Sequence, residues 1–222
     1  TQENVHEAVA LWMTNETEAT ATYGPISEWD VTQVSNMTRL FSRDLHLEAD
    51  GYDVAIPEAV LFNADISAWD VSNVTNMDRM FEGAQAFSQN INGWDVSSLE
   101  RMYGIFSEST FNGPLNDWDV SSVWLMSFAF HKSDFNQPLS NWNVSNVTRM
   151  DYIFRETPFD QDISNWDVSN VTNLVGAFIG SDFNQPIGSW NTSNVTNMTS
   201  LFQSSGFSQD ISAWDVSSVT SF

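Results

Sequence analysis

Trp69-Asp70-Val71-Ser72-Asn73-Val74-Thr75-Asn76-Met77 recurs, with small changes, about every 24 residues almost to the end of the chain. Its anchor tryptophans are Trp29, Trp69, Trp94, Trp118, Trp142, Trp166, Trp190 and Trp214, at intervals of 40, 25, 24, 24, 24, 24 and 24 residues. A period of roughly 20–50 residues signals a stack of like units, each burying its apolar face against the next. The long first interval holds an insertion of about 16 residues relative to the others.

An unbroken repeat across 222 residues argues for one domain. Residues 1–28 read as an N-terminal capping helix and lead-in, and 29–222 as a solenoid of about eight repeats with an acidic insertion near 43–60. The 7 Lys and Arg against 29 Asp and Glu give a net charge of −22. Such a surface repels phosphates and anionic headgroups, so neither nucleic acid nor a membrane is an expected partner. Low hydrophobicity with high charge can mean disorder, but 16 Phe and 10 Trp at fixed intervals describe a folded body. Cysteine is absent, which excludes disulfides and thiolate metal sites. No apolar run approaches the ~20 residues of a spanning helix. A start at Thr1 suits a processed secreted protein and equally a trimmed chain.

One repeat, Phe159 to Phe178, predicts a local fold. Phe159 to Val168 mixes β-branched and aromatic residues with Ser, Asn and Asp and reads as a short strand. Ile163 and Trp166, three apart, break two-residue alternation and imply a bend. Val171, Leu174, Ala177 and Phe178 share one face of a helix, with Ser169 as its N-cap. The expected fold class is therefore α/β, with a parallel sheet on one face and short helices on the other. The Met column (Met37, Met77, Met102, Met126, Met150, Leu174, Met198) and the Phe column (Phe41, Phe81, Phe106, Phe130, Phe154, Phe178, Phe202) are its expected core, and the repeat tryptophans its packing residues. Val5, Val9, Trp12 and Met13 lie on one face of a helix over 3–20 that would cover the first coil. The chain stops inside a repeat at Phe222, so a longer chain or self-association through the C-terminal coil is expected.

The unit W-D-V-S-x-V-T-x-M-x-x-M-F followed by F-N-Q-x-I-x-x-W is clearest from Val71 through Phe81 and in Phe135-Asn136-Gln137-Pro138-Leu139. It resembles the repeat of BspA-family leucine-rich-repeat surface proteins, which also occurs in mycoplasma lipoproteins and in secreted proteins of marine microbes. The resemblance runs from Trp29 to Phe222, and Tyr23-Gly24-Pro25-Ile26 is similar to the family's lead-in. It implies a leucine-rich-repeat-like solenoid, an extracellular or cell-surface setting, adhesion or binding, and no catalytic residues.

The acidic columns have competing readings. Asp follows Trp at Asp30, Asp70, Asp95, Asp119, Asp167 and Asp215, where stacked carboxylates could ladder calcium. Asn143 and Asn191 stand in the same column, and Asn keeps the acceptor while discarding the charge, which favours capping of a backbone amide. Gln89, Gln137, Gln161, Gln185 and Gln209 read as an amide ladder between coils. In the insertion, Asp44, Glu48, Asp50 and Asp53, with His46 and Gly51 among them, make a candidate Ca²⁺ loop, set against a plain solvated acidic loop. No metalloprotease, nucleophile-elbow or phosphate-loop motif appears, so no enzyme activity is expected. Sequons such as Asn73-Val74-Thr75 and Asn194-Val195-Thr196 would accept glycans in a eukaryotic secretory pathway, and their place in the repeat columns explains them equally well.

The functional expectation is an extracellular binding or adhesion module for a protein or glycan, needing no cofactor unless Ca²⁺ occupies the insertion. Its working surface is expected on the strand face at Asn116, Asp117, Ser140, Asn141, Ser164, Asn165 and Ser189. The rival readings are a structural subunit joined through its C-terminal end and an ice-binding surface built on Thr75, Thr148, Thr172 and Thr196.

Overall fold

The computed structural model describes residues 1–43 and 57–222. Two α-helices open the chain, α1 (Val5–Thr14) and α2 (Glu16–Tyr23), followed by short 3-10 turns at Ile26–Glu28 and Pro57–Leu61. Beyond them the described residues form stacked coils made almost entirely of turns. Parallel pairing is confined to isolated bridges that climb the stack: Asn36 to Asn76, Arg101, Leu125, Arg149, Asn173, Asn197 and Ser221.

This overturns the expected α/β class. The segment read as a helix is a ribbon of overlapping turns. At Met77, the N–H groups of Met77, Arg79, Phe81 and Gly83 donate to Arg101, Tyr103, Ile105 and Ser107 of the next coil at 2.7–3.0 Å. The alternate N–H groups of Met80, Glu82 and Ala84 turn back onto the carbonyls of Met77, Arg79 and Phe81 at 3.1 Å. Left-handed residues make this possible: Arg79 has φ 58° and Gly83 φ 71°. A right-handed helix would use every amide locally and leave none to join coils. Burial nevertheless falls at Met77, Met80, Phe81 and Ala84, the i, i+3, i+4, i+7 spacing of a helix face. Spacing alone does not separate the two backbones.

The expected strand is absent as well. The chain reverses at the bend inferred after Ile163, where the Trp166 N–H donates to the Ile163 carbonyl at 3.1 Å. It reverses again where the Val171 N–H donates to Val168 at 2.9 Å, so Ser169 sits in a turn and caps no helix. With a turn every few residues there is no extended run to build a sheet.

The core columns lie inside. Met37, Met77, Met102, Met126 and Leu174 are fully buried, as are Phe41, Phe81, Phe106, Phe130 and Phe154. A second phenylalanine column interleaves with the first: Phe154 stacks on Phe159 at 3.9 Å between centroids, and Phe159 on Phe183 at 6.1 Å. The anchor tryptophans of the repeat from Trp69 to Trp190 are 2–3% exposed. Each indole N–H reaches a carbonyl one coil back, as from Trp142 to Leu115 at 2.8 Å and from Trp190 to Ile163 at 3.1 Å. Their rings stack nearly parallel, as in Trp142 over Trp166 at 6.3 Å and 4°. They bind the coils and offer no row of faces to a ligand. At the C-terminal coil this close packing opens, with Phe202, Phe207 and Ile211 partly buried, Val216 44% exposed and Phe222 74% exposed.

The ribbon is polar along the stack: donors point to the following coil, acceptors to the preceding one. The first coil therefore presents acceptors, and the N-terminal segment supplies donors. Gln2 Nε2 donates to the Asn36 carbonyl at 2.9 Å, and His6 Nε2 bonds the Thr38 carbonyl at 2.8 Å. Gln2 Oε1 accepts from the Ser35 and Asn36 amides, as the Ser35 carbonyl does from Thr75 and Asn76 one coil on. One carboxamide thus substitutes for a missing coil. The single helix expected over 3–20 is two, broken at Asn15, whose Oδ1 accepts the Glu18 N–H at 3.2 Å.

Candidate functional site

The anticipated strand-face residues fall at the turn before each tryptophan, on a corner of the coil, and bond one another across coils. Asn116 Oδ1 accepts the Asn141 N–H at 3.0 Å. Asn165 Nδ2 donates to the Ser140 carbonyl at 2.7 Å, and the Ser189 hydroxyl to the Ser164 carbonyl at 3.2 Å. Asp117 Oδ2 accepts from Asn92 Nδ2 at 2.6 Å. The structure brings the seven into neighbouring columns, but as a turn edge engaged in its own hydrogen bonds, not as an open sheet face.

The carboxylate column does what the Asp–Asn interchange implied. Asp70, Asp95, Asp119, Asn143, Asp167 and Asn191 each accept the N–H two residues on through Oδ1, at 3.0–3.2 Å. The hydrogen-bonding serine beside each holds Asp70, Asp95 and Asp167 below the usual carboxylate value of 3.8, with the backbone amide next in weight. Gln161 and Gln185 reach Asn136 and Asp160 of the preceding coil at 2.9 and 3.0 Å, forming the expected ladder. The hydroxyls of Thr75, Thr148, Thr172 and Thr196 are donated to carbonyls one coil back, at 3.1–3.3 Å. Sequon amides are engaged likewise: Asn73 Nδ2 donates to Thr32 and Asn194 Nδ2 to Ser169. The Ca²⁺ candidates Asp44, Glu48, Asp50 and Asp53 lie outside the described residues. Among the described residues no three His, Asp or Glu gather as a metal site, and no helix is long and apolar enough to cross a membrane.

Sequence reasoning missed the outer face of the turn ribbon. All seven cations, Arg39, Arg43, Arg79, Arg101, Lys132, Arg149 and Arg155, fall between one residue before and six after the Met column. Between coils 76 and 156 they frame aromatic side chains. Tyr103 lies 5.3 Å from Phe128, and Phe128 4.7 Å from Tyr152, centroid to centroid. Arg79 sits over Tyr103 at 5.1 Å, Arg101 over Trp124 at 5.6 Å and Arg155 over Tyr152 at 5.8 Å. Carboxylates lie beside them: Arg101 pairs with Asp78, Arg149 with Asp151 at 3.3 Å, and Arg155 with Glu156 at 2.9 Å. Trp124 is 38% exposed, and the Arg101, Lys132 and Arg149 side chains 41%, 45% and 51%. At the inner margin, His131 Nδ1 is buried with no hydrogen-bond partner. Burial, and then the charges of Arg155 and Lys132, hold that imidazole below its usual 6.5.

The backbone under this patch is strained. The second and sixth positions after the Met column are left-handed, which glycine accepts without penalty and bulky residues do not. Glycine stands there at Gly83, Gly104, Gly176 and Gly180. Beside Gly83 and Gly104 in the patch, the same conformation is held by Arg79 (φ 58°), Glu108 (φ 56°), Phe128 (φ 60°), Lys132 (φ 53°), Tyr152 (φ 57°) and Glu156 (φ 54°), and outside it by Arg39, Ser200 and Ser204. The two signals available in the sequence were glycines inside an apparent helix and the confinement of every cation to eight columns. Chemically the patch is a set of guanidinium–carboxylate pairs around half-buried rings.

No curated protein and no solved structure matches the chain. A family described as "Mycoplasma protein of unknown function, DUF285" matches over residues 13–55, 53–134 and 125–222, in tandem as the repeat requires. The chain belongs to that family of repeat proteins.

Proposed function

We propose that the protein is a non-catalytic binding module of the BspA-like surface type, displayed outside the cell, with the ribbon face between 76 and 156 as its contact surface for a protein or glycan. The observation that carries this reading is the placement of Phe128 and Tyr152 at left-handed positions where neighbouring coils have glycine. Bulky residues held in disfavoured conformations cluster at functional sites, and the inference runs from that outlier to function. Tyr, Trp and Arg are also the residues enriched at binding hot spots. The recurrent carboxylates, engaged in turn hydrogen bonds, are suited to structure and not to acid–base work. Ca²⁺ at the acidic insertion is part of the proposal, as an accessory ion.

Arrays of immobilised glycans and extracellular-matrix proteins, probed with and without Ca²⁺, test it. Retained ligands should be lost by a Phe128→Gly/Tyr152→Gly variant and kept by Asn165→Ala at the turn edge. Binding that ignores the double variant and fails with the edge variant would move the site to the turn edge.

A further inference from the structure

We infer that the ribbon face between 76 and 156 is a contact surface for a second copy of this chain, laid antiparallel against it. The inference rests on the reading of that face as the binding surface and names its partner. The argument begins with charge. A body of net charge −22 repels its own kind, and the repulsion is strongest wherever carboxylates stand uncompensated. On the ribbon columns of these coils, five cations stand against five carboxylates. Unlike the acid-rich remainder, this balanced face lets two such bodies meet with opposite charges available to each other.

The pattern is also self-complementary. Glu108, Lys132 and Glu156 occupy the same column in successive coils, alternating in sign, with Lys132 Nζ 3.9 Å from Glu156 within one chain. A two-fold axis between those two coils would set Lys132 of each copy opposite Glu156 of the other, the isologous arrangement of a cyclic dimer. Phe128 and Tyr152, each four residues before this column on the ribbon and 4.7 Å apart, would be the apolar centre of the contact. Beyond them the same two ribbon positions carry the small residues Gly176, Gly180, Ser200 and Ser204. At about 4.8 Å per coil the six coils that this axis would pair, from 76 to 204, extend roughly 30 Å, enough only for the small end of stable interfaces. The dimer is therefore weak and concentration-dependent.

Sedimentation velocity across protein concentration and NaCl tests this. The full chain should show a reversible monomer–dimer equilibrium that tightens as salt rises towards 1 M, where the Debye length falls to about 3 Å and the acidic flanks no longer repel. Phe128→Gly/Tyr152→Gly should weaken association by about tenfold or more while the circular dichroism spectrum stays native, since glycine is the neighbouring coils' own choice at these positions. Lys132→Glu should abolish the dimer, and Lys132→Glu/Glu156→Lys should restore it. A monomer at millimolar concentration at every salt level, or a dimer indifferent to all these changes, would overturn the inference. A wild-type monomer whose captured ligand is still lost in the glycine variant would overturn only the choice of partner. Ligand binding untouched by that variant would sink the underlying reading instead.

Discussion

The ribbon between 76 and 156 and the ribbon between 173 and 204 share one backbone and differ in almost every outward side chain. The first carries Arg79, Tyr103, Phe128, Lys132, Tyr152 and Arg155; the second carries Gly176, Gly180, Ser200 and Ser204. Both pass their amides to the next coil identically: Tyr152 N–H to Val175 at 2.8 Å, Gly176 N–H to Thr199 at 2.9 Å. Stability therefore does not require the large side chains, and the left-handed backbone opposes them. The difference separates what the stack needs from what was added to its surface.

The comparison is sharpest where the two regions should behave alike. Trp142→Ala and Trp190→Ala each remove a ring 3% exposed together with its bond to the preceding coil, and each should destabilise by about 3–5 kcal/mol in denaturant melts. A much smaller loss at Trp190 would mean that the regions differ in their cores and not only on the ribbon.

Exchanging ribbon residues should separate the regions. A Cβ built on Gly176, at φ 55°, would lie 2.5 Å from the Tyr152 ring. Gly176→Tyr should therefore destabilise by about 1–3 kcal/mol, the range for a residue forced into a disfavoured conformation. Tyr152→Gly relieves the backbone while losing the stack on Phe128, and its thermal midpoint should move by far less. Equal losses from the two exchanges would remove the asymmetry on which the functional reading rests.

Turn capping should be uniform across both. Asp167→Ala should lower stability by about 1 kcal/mol, because its Oδ1 is the acceptor for the Ser169 amide, while Asp167→Asn should be close to neutral, as Asn143 and Asn191 already serve. A large loss with asparagine would mean that the charge itself matters.

The smallest effect belongs to pH, and it is local to the first region. His131 is held below its usual 6.5 in the folded chain, so the unfolded chain takes up the proton first. Its contribution is present above 6.5 and is lost as pH falls through and below that value. His131→Gln should flatten this part of the stability profile; an unchanged slope would assign it elsewhere.

Much of this was legible from residues alone. Met77, Phe81 and Trp94 declared themselves core by recurring, because a position buried in every coil must be apolar in every coil. The exchange of Asp167 for Asn143 in one column identified a hydrogen-bond acceptor without reference to any structure. The helix assigned to Val171–Phe178 failed for a definite reason: burial at three- and four-residue intervals is common to a helix and to overlapping turns. Gly83, Gly104, Gly176 and Gly180 marked the difference, since left-handed turns favour glycine where the interior of a helix does not.

Sequence by itself determined the period, the buried columns, the capping carboxylates and the acidic surface, because each is a per-residue preference repeated in every coil. Tertiary structure decided where the amides go. Whether the N–H of Arg79 bonds within its own turn or reaches Tyr103 depends on a neighbouring coil 24 residues away. That choice turned helices into a ribbon, a sheet into single bridges, and scattered cations and aromatics into one face, because backbone hydrogen bonds are settled only when the partner coil is in place.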